Sequence, residues 1–329
     1  MTNLRAGVDL GGTKIQAVIV DSDHRVIGQA RRPTPVAGGP PAVADEIAAT
    51  VREASEAAGV EPGALAAIGV GSPGYVDGRE GTVAHARNLS DWEGVFPLGS
   101  TLAKALGPPV FLGNDVNVAV EAEFRLGAAQ SYASIIGVWW GTGVGGAIIL
   151  DGKLWLGRGA AGEIGHTVVR LNGARCSCGR RGCLEAYAGR GAMETHARRL
   201  VARGRETELF EIMEKRGRTR LSSGVWERAL DREDELAVAL IGRAIAALGA
   251  GIASAINLLE VEAVVIGGGL GTRLGQAWAD RVARAMNPHL FVPERAPAVH
   301  AAGLGDLGGA IGAALIAEGA MARRVDPGV

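Results

Sequence analysis

The chain has 329 residues, 47% of them hydrophobic, which is enough for two domains or one large one with a sizeable core. A formal net charge of −1 gives no reason to expect a nucleic-acid or membrane partner, since both favour strongly basic surfaces. The first residues lead directly into an apolar, strand-like run, so we expect no signal peptide. The longest uncharged helical run, residues 244–259, is too short for a membrane span.

The chain begins with a strand–turn–strand pattern. Residues 5–10 and 15–20 are apolar and β-prone, and the first turn between them, residues 9–14, reads Asp-Leu-Gly-Gly-Thr-Lys. Glycines in a turn let phosphate oxygens approach backbone N–H groups, and the side chains of Thr13 and Lys14 can add donors. A turn of this kind alone is more often only a turn, and the Walker phosphate-loop pattern is absent from it.

Strand and helix patterns then alternate. Residues 26–31 predict a strand, residues 42–58 an amphipathic helix, and residues 65–70 a buried strand that ends at Gly71. This alternation predicts an α/β layer, and the glycine-rich loop after such a strand is where open sheets bind ligands. The polar segment 88–92, Asn-Leu-Ser-Asp-Trp, predicts a surface loop.

Asp115 lies at a predicted junction between a strand and a helix. The short strand 109–112 is followed by Gly-Asn-Asp at residues 113–115, and residues 116–126 predict a helix. Asp115 could be the N-cap of that helix. It could also be a general base, since phosphoryl transfer to a hydroxyl needs a carboxylate that orients the hydroxyl and accepts its proton.

A second strand–turn–strand pattern covers residues 133–150. Its turn, residues 141–146 (the second turn), matches Gly-x-Gly-x-x-Gly, but a strand follows where a dinucleotide fold requires a helix. Residues 303–308 match the same pattern before a predicted closing helix, 304–317, but we expect too little chain after them for a dinucleotide fold. The second turn therefore predicts another phosphate-type hairpin, and the repeat of the pattern predicts a duplicated architecture.

All three cysteines of the chain fall in one short segment. His166, Cys176, Cys178 and Cys183 have the spacing of metal ligands, and three thiolates with one imidazole fill a tetrahedral zinc site. We predict a structural Zn²⁺ at this Cys3His cluster; the alternative is three free cysteines and a solvated histidine. Cysteines used in this way also argue against disulfides and favour a reducing, cytoplasmic location.

The last third of the chain predicts more helices and one buried strand. Residues 192–203 predict a helix, and the charged segment 204–235 predicts short peripheral helices to which we assign no chemistry. Residues 236–259 predict a long helix rich in small side chains, and residues 261–266 a buried strand. That strand ends in three glycines, residues 267–269, which would let a flat adenine or ribose lie against the backbone, whereas a plain turn needs one.

One dense segment carries a family resemblance. Gly-Glu-Ile-Gly-His at residues 162–166, followed by Cys-x-Cys-Gly-x-x-Gly-Cys-x-Glu at residues 176–185, resembles the zinc signature of the ROK family of sugar kinases, which includes many bacterial glucokinases. The resemblance covers nearly the whole chain, from Val8 to Leu315. It implies an α/β chain with the two-lobed, actin-like ATPase (ribonuclease H-like) fold, which has a duplicated domain, an interdomain cleft and the nucleotide phosphates between the two hairpin turns.

The same resemblance implies the domain limits. We expect residues 1–115 to form an N-terminal α/β lobe, with the C-terminal helix near 306–320 packed back on it. Residues 116–305 would form a larger C-terminal α/β lobe that contains the Cys3His cluster.

The resemblance also implies roles for individual residues. Asp115 would be the base. The hexose would be held by Gly71, Asn88, Asn114, Asp115, Glu163, His166 and Glu185. The donor and its Mg²⁺ would lie against Asp9, Gly11, Gly12, Thr13, Lys14, Thr142 and Gly143, with Gly268 and Gly269 bordering the nucleoside. His166 would bind zinc through one ring nitrogen and the sugar through the other, which would explain a structural metal beside an active site. The family usually has Asn-Pro before the buried strand where this chain has Asn257-Leu258, so an unusual phosphate donor stays open.

These features together predict an ATP-dependent hexose kinase, and a glucokinase that phosphorylates the 6-hydroxyl of glucose is favoured. Mg²⁺ is expected because it neutralises the charge of the transferring phosphoryl group. A kinase for N-acetylglucosamine, N-acetylmannosamine, mannose or fructose stays open, as do ATP or polyphosphate as donor and a homodimer or homotetramer as assembly.

Two functions of other classes are less favoured. A ROK-type sugar-sensing regulator would need a DNA-binding domain, for which we expect no room before Val8, and the chain keeps Asp115 as a catalyst should. A non-enzymatic sugar-binding protein stabilised by zinc would have no use for two phosphate-type turns.

Overall fold

The computed structural model describes residues 3–86 and 88–325, with side chains as far as residue 321. Contacts divide the chain into two compact units, one running to Gly127 and resuming at Leu304, the other formed by Ala128–Gly303. The helices and strands of the described chain, in order, are β1 (Arg5–Leu10), β2 (Lys14–Val20), β3 (Val26–Pro33), α1 (Gly39–Ala57), β4 (Ala67–Ser72), β5 (Tyr75–Asp77), β6 (Thr82–Ala84), β7 (Val95–Phe96), α2 (Leu98–Leu106), β8 (Val110–Asn114), α3 (Asp115–Leu126), β9 (Ile135–Trp140), β10 (Val144–Leu150), β11 (Lys153–Leu154), α4 (Glu185–Ala188), α5 (Arg190–Val201), α6 (Leu209–Lys215), α7 (Ser223–Asp231), α8 (Glu235–Leu259), β12 (Ala263–Gly267), α9 (Gly268–Leu274), α10 (Gln276–Met286), β13 (Ala298–Ala301) and α11 (Gly308–Val325).

The two units contain sheets of the same topology. The first sheet has the order β3-β2-β1-β4-β8 and the second the order β11-β10-β9-β12-β13. In each, an antiparallel hairpin, β1–β2 or β9–β10, supplies one strand to which two further strands are added in parallel. The predicted duplication is therefore visible in strand order and direction.

The first sheet is covered on both faces. Along β2, Ile15, Ala17 and Ile19 pack with the cluster that includes α1 and α2, while Val18 and Val20 pack with α11. Successive side chains of a strand point to opposite faces, so this alternation separates the two layers.

Glycines explain how closely α11 approaches the first sheet. A Cβ atom at Gly7 would lie 1.9 Å from the carbonyl oxygen of Ala310, and one at Gly69 would lie 1.7 Å from that of Ala313. Any side chain at these two positions would push the helix away, which would expose its buried face. The helix expected near 306–320 thus packs on the sheet that contains β1 and β4.

The predicted boundary after residue 115 and the contact boundary at Gly127 differ by the length of α3. α3 packs against α11, and a Cβ atom at Gly312 would lie 1.8 Å from the carbonyl oxygen of Val118. This packing favours placing α3 with the first unit, while the division into lobes stays a prediction.

The second unit is built around α8, the one helix in the described part of the chain that is long and apolar enough to cross a membrane. In its most apolar window, 61% is buried inside the structure, through side chains such as Leu240, Leu248 and Ile252. Gly249 allows close packing, since a Cβ atom there would lie 2.6 Å from the backbone of Ala285 on α10. The helix thus forms the centre of a core.

Several elements differ from the prediction. The glycines at 267–269 do not form an open loop, because Gly268 begins α9 directly after β12. The small sheet β5-β6-β7 was not predicted, since strands of two or three residues are too short to show a periodicity. The predicted peripheral helices within 204–235 are present as α6 and α7.

Candidate functional site

The first turn is an open loop backed by a carboxylate. Gly11 N–H donates to the Lys14 carbonyl at 2.9 Å, which closes the turn, and Gly12 and Thr13 are exposed. A Cβ atom at Gly12 would lie 2.6 Å from the carbonyl oxygen of Asn88, so the first turn contacts this predicted sugar-binding residue through its backbone. An open backbone with free approach suits an anionic ligand.

Asp9 lies behind that turn, at the start of α11. A Cβ atom at Gly309 would lie 2.8 Å from the carboxyl carbon of Asp9, so glycine is required for this approach. Burial raises the pKa of Asp9 above its ordinary value, and Lys14 opposes that effect. Lys14 Nζ in turn lies 3.6 Å from Asp306, a neighbour that the sequence did not indicate.

Pairing of β4 with β8 brings Gly71 and Asp115 together. Gly71 is paired with Gly113 and Ser72 with Asn114 at the carboxyl ends of these parallel strands. A Cβ atom at Gly71 would lie 3.5 Å from Cα of Asp115. The loop after a strand and the strand-to-helix junction therefore form one edge of the first sheet.

The N-cap of α3 is Asn114, and Asp115 is the first residue of the helix. Asn114 Oδ1 accepts from the N–H groups of Val116 at 3.0 Å and Asn117 at 3.2 Å. The N-cap alternative for Asp115 is thus wrong, although its Oδ1 also accepts from Val116 N–H at 3.0 Å. Because the side-chain oxygen of Asn114 already accepts these two capping hydrogen bonds, the group it has to bind a ligand is its amide NH₂ donor.

Glycines place the Gly-Glu-Ile-Gly-His segment against β10. A Cβ atom at Gly165 would lie 1.9 Å from the carbonyl oxygen of Val144, and one at Gly146 would lie 2.6 Å from that of Gly162. This packing holds the 3₁₀ turn Ile164–His166 beside the second turn. Glu163 is exposed, and its Oε2 lies 4.0 Å from Nε2 of His166.

The Cys3His cluster is assembled as predicted from its spacing. One ligand atom from each of the four residues lies within 4.8 Å of those from the others. Cys178 Sγ and Cys183 Sγ are 3.8 Å apart, and His166 Nδ1 lies 3.8 Å from Cys176 Sγ. Zinc–sulfur bonds of about 2.3 Å give a tetrahedral edge of about 3.8 Å, so the geometry fits a metal of this kind.

The thiols of the cluster differ in acidity. Burial raises the pKa of Cys176 to about 12 and also raises that of Cys183, whereas the Arg180 side chain lowers the pKa of Cys178 to about 6. Three thiolates at this distance repel one another, so a divalent cation is what would hold all of them deprotonated.

Glu185 joins the Cys3His cluster to the second turn. Its Oε2 accepts from Val144 N–H at 3.0 Å, and its Oε1 accepts from Ser177 Oγ at 2.8 Å and lies 3.7 Å from Cys176 Sγ. A Cβ atom at Gly143 would lie 2.3 Å from Oε2, so glycine is needed for this contact. The sequence predicted Glu185 and Gly143 as site residues but did not predict their contact, and it did not identify Ser177.

The second turn also lies beside the start of α9. A Cβ atom at Gly141 would lie 3.6 Å from the N atom of Gly269, and one at Gly268 would lie 2.9 Å from the backbone of Trp140. Thr142, Gly143, Gly268 and Gly269, all predicted for the donor, are therefore grouped in the second unit. Arg190 and Ser223 lie in the same place and were not predicted, because no motif marks them.

Known proteins resemble this chain over most of its length. The model of the ROK family matches residues 5–320. A glucokinase from Thermotoga maritima is 36% identical over 274 residues, which cover 82% of this chain and 83% of the relative. An N-acetyl-D-glucosamine kinase from Salmonella heidelberg is 31% identical over 324 residues, 94% of this chain and 98% of the relative.

A solved structure extends the likeness to three dimensions. A ROK family glucokinase from Streptomyces griseus, crystallised with glucose and AMPPNP, superposes with a TM-score of 0.82 at 34% identity, covering 96% of this chain and 99% of that one. The predicted actin-like ATPase fold is confirmed by such neighbours. With a family match over nearly its whole length and relatives above 30% identity, the chain belongs to the ROK family.

Proposed function

We propose that this chain is an ATP-dependent hexose kinase and that glucose, phosphorylated at its 6-hydroxyl, is its sugar. The observation that carries the proposal is the position of Glu185, whose Oε2 accepts from Val144 N–H of the phosphate-type second turn and whose Oε1 lies 3.7 Å from Cys176 Sγ of the Cys3His cluster. A protein that only bound a sugar would not need such a turn. The glucokinase relatives from Thermotoga maritima and Streptomyces griseus support glucose as the sugar.

In the proposed reaction, the 6-hydroxyl oxygen attacks the γ-phosphorus of ATP. A new oxygen–phosphorus bond forms, the bond from the γ-phosphorus to the bridging β–γ oxygen breaks, and ADP leaves with that oxygen. The hydroxyl proton passes to the carboxylate of Asp115, which lies half-buried at the carboxyl ends of β4 and β8. Mg²⁺ that accompanies ATP would supply the positive charge that neutralises the transferring phosphoryl group.

The hexose would be held by groups that match vicinal hydroxyls. Asn114 has its amide N–H groups left to donate, since its oxygen caps α3. Glu163 and Glu185 would accept from hydroxyls, and His166 Nε2 faces away from the Cys3His cluster because Nδ1 faces Cys176. Asn88, exposed beside Gly12, and Gly71 would complete the sugar contacts.

The proposed donor residues form two groups, one in each unit. In the first unit, the donor and its Mg²⁺ would contact Asp9, Gly11, Gly12, Thr13 and Lys14. Thr142 and Gly143 would hold phosphates from the second unit, with Gly268 and Gly269 beside the nucleoside. The open backbone of the first turn and the grouping of the second turn with α9 support these assignments.

We further propose that the Cys3His cluster holds a structural Zn²⁺, with Nδ1 of His166 as the nitrogen ligand. Four protein ligands leave no open position, so the ion would fix the positions of His166 and Glu185 without taking part in phosphoryl transfer. The homodimer or homotetramer and the cytoplasmic location stay predictions.

The second candidate is a kinase of N-acetylglucosamine, which the relative from Salmonella heidelberg favours. One coupled assay separates the candidates: ADP release with Mg²⁺ and glucose, N-acetylglucosamine, N-acetylmannosamine, mannose or fructose, each with ATP or polyphosphate as donor. We expect the largest kcat/KM for glucose with ATP, and a product that glucose-6-phosphate dehydrogenase oxidises. Folded, metal-loaded protein that releases no ADP with any of these sugars would refute the kinase proposal.

A further inference from the structure

A guanidinium group lies within the donor cluster of the second unit. Arg190 begins α5, and its two terminal nitrogens donate to Ser223 Oγ at 2.7 Å and to Thr142 Oγ1 at 2.9 Å. A Cβ atom at Gly269 would lie 3.9 Å from one of these nitrogens. The side chain thus lies between the second turn, α7 and the start of α9.

Arg190 forms no ion pair with the residues that the structure describes. Among the described residues, no carboxylate lies within 4.0 Å of it, and both of its hydrogen-bond acceptors are neutral hydroxyls. Glu194 on the same helix is engaged elsewhere, by Arg198 at 2.8 Å, Arg220 at 3.2 Å and the N–H of Leu221 at 3.0 Å. Arginine stays protonated in proteins, so this half-buried positive charge lacks a direct ion-pair partner among the described residues, and the attraction of Glu194 acts on it only as a smaller effect.

A second cation, Arg220, lies near Arg190, although it also pairs with Glu194 at 3.2 Å. A Cβ atom at Gly191 would lie 3.7 Å from a terminal nitrogen of Arg220, and burial together with Arg220 lowers the pKa of Arg190. Gly141, Gly191 and Gly269 contribute only backbone beside these groups. A cation among hydroxyls and bare backbone is the composition of an anion site, and arginine suits phosphate because its planar fork can donate two parallel hydrogen bonds.

We propose that Arg190 binds a phosphate group of the phosphoryl donor, with the hydroxyls of Thr142 and Ser223 orienting its guanidinium. This assignment rests on the proposed kinase function, because it assumes that the second turn faces the donor. The ligand chemistry is a phosphate chain, which a nucleoside triphosphate or an inorganic polyphosphate could supply. A purely mechanical role, in which Arg190 only ties the turn to α7, is the competing explanation.

The test compares three substitutions in the full chain. Arg190→Met removes the charge and keeps the stem, and Arg190→Lys keeps the charge without the fork. Arg199→Met is the matched control, because Arg199 is an exposed residue of the same helix and its loss changes the net charge equally. Calorimetry then measures adenosine, ADP, Mg²⁺–AMPPNP, inorganic tripolyphosphate and glucose separately, with the melting temperature as a check on folding.

We expect Arg190→Met to weaken ADP and AMPPNP about 10–100-fold, the range for hydrogen bonds to charged groups, with adenosine and glucose changed less than about 2-fold. The ADP and AMPPNP affinities of Arg190→Lys should lie between those of the wild type and of Arg190→Met. The affinities of Arg199→Met should equal those of the wild type. If tripolyphosphate binds the wild type and loses affinity in Arg190→Met by the same factor as ADP and AMPPNP, Arg190 recognises the phosphate chain without the nucleoside. If it does not bind the wild type, the phosphate must be carried by a nucleotide.

Two results would overturn the assignment of Arg190. One is unchanged ADP and AMPPNP affinity in Arg190→Met. The other is an equal loss for adenosine, glucose and nucleotides together with a lower melting temperature, which identifies a mechanical tie. A wild type that binds neither nucleotide nor tripolyphosphate would overturn the kinase function as well, so the two failures are distinguishable.

Discussion

The two glycine turns occupy equivalent places in two sheets of the same topology, yet their surroundings differ. In the first turn, Gly12 and Thr13 are exposed, and the neighbour of Gly12 is a backbone oxygen of Asn88. In the second turn, Gly143 is covered by the carboxylate of Glu185, which also accepts from the hydroxyl of Ser177. Duplication thus supplies two similar backbones, and the side chains that surround each turn determine what it can do.

The comparison also separates the two units by chemistry. The first unit holds Asp115 at the edge of β4 and β8, while the second holds the Cys3His cluster and the carboxylates beside it. We therefore expect substitution of Asp115 to affect the chemical step, and substitutions around Glu185 to affect the binding of sugar and donor together.

The largest effect is expected at Asp115. Asp115→Asn keeps an oxygen that can accept from Val116 N–H, so α3 should stay folded, but it removes the proton acceptor. We expect kcat to fall on the order of 10²–10⁴-fold with little change in glucose affinity. Steady-state kinetics and a glucose isotherm measure this, with the exposed Asp45→Asn on α1 as the control. Turnover near that of the control would remove Asp115 from the role of base.

The next largest effect is expected from loss of a proposed metal ligand. Cys178→Ser should release His166 and Glu185 together, and a displacement of about 1 Å can cost on the order of 10²-fold in rate. Because metal binding contributes folding free energy, we also expect the melting temperature to fall by roughly 10 °C. Elemental analysis, calorimetry with glucose and thermal unfolding test this prediction. If a zinc-free variant bound glucose normally, the Cys3His cluster would not position the sugar-binding residues and would only stabilise the fold.

A pair of glycine substitutions compares the two turns directly. In Gly143→Ala the new methyl group meets Glu185 Oε2 at 2.3 Å, whereas in Gly12→Ala it meets the Asn88 backbone at 2.6 Å. We expect Gly143→Ala to weaken both AMPPNP and glucose on the order of 10-fold, since overpacking displaces the carboxylate. Gly12→Ala should weaken AMPPNP more than glucose. If the two variants had the same profile, the turns would not differ in the way proposed.

The smallest effect is expected at Ser177, which acts through Glu185. Ser177→Ala removes one hydrogen bond to Oε1, so glucose affinity should fall about 2–10-fold, with kcat nearly unchanged. Ser254→Ala is the control, because its hydroxyl donates to the carbonyl of Ala250 on the surface of α8. A glucose affinity equal to that of this control would show that Ser177 does not position Glu185.

Local patterns predicted much of the fold and the metal cluster. Alternating apolar runs around glycine turns located β1–β2 and β9–β10, because hairpins are specified by neighbouring residues. The spacing of the cysteines predicted the Cys3His cluster for the same reason. The resemblance to the ROK family supplied the candidate sugar and donor residues, whose roles stay proposals.

Contacts between distant segments could not be predicted. Nothing local indicates that Gly143 must be a glycine because of Glu185, or that Gly7 and Gly69 make room for α11. The capping of α3 by Asn114 and not Asp115 depends on where the helix begins to within one residue, which is the least certain feature of a sequence pattern. Arg190 follows no motif, and its place beside Thr142 and Ser223 comes from tertiary packing.

The central claim is that the Cys3His cluster and the second turn form one structure joined by Glu185. The most direct measurement is calorimetry on the wild-type protein before and after metal removal by a chelator, with glucose and Mg²⁺–AMPPNP titrated separately. Metal content and circular dichroism are followed in the same samples. We predict that the metal-depleted, folded protein binds both ligands more weakly, glucose by the larger factor, because Glu185 contacts both the cluster and Val144 N–H. Unchanged nucleotide affinity in folded, metal-free protein would contradict the claim.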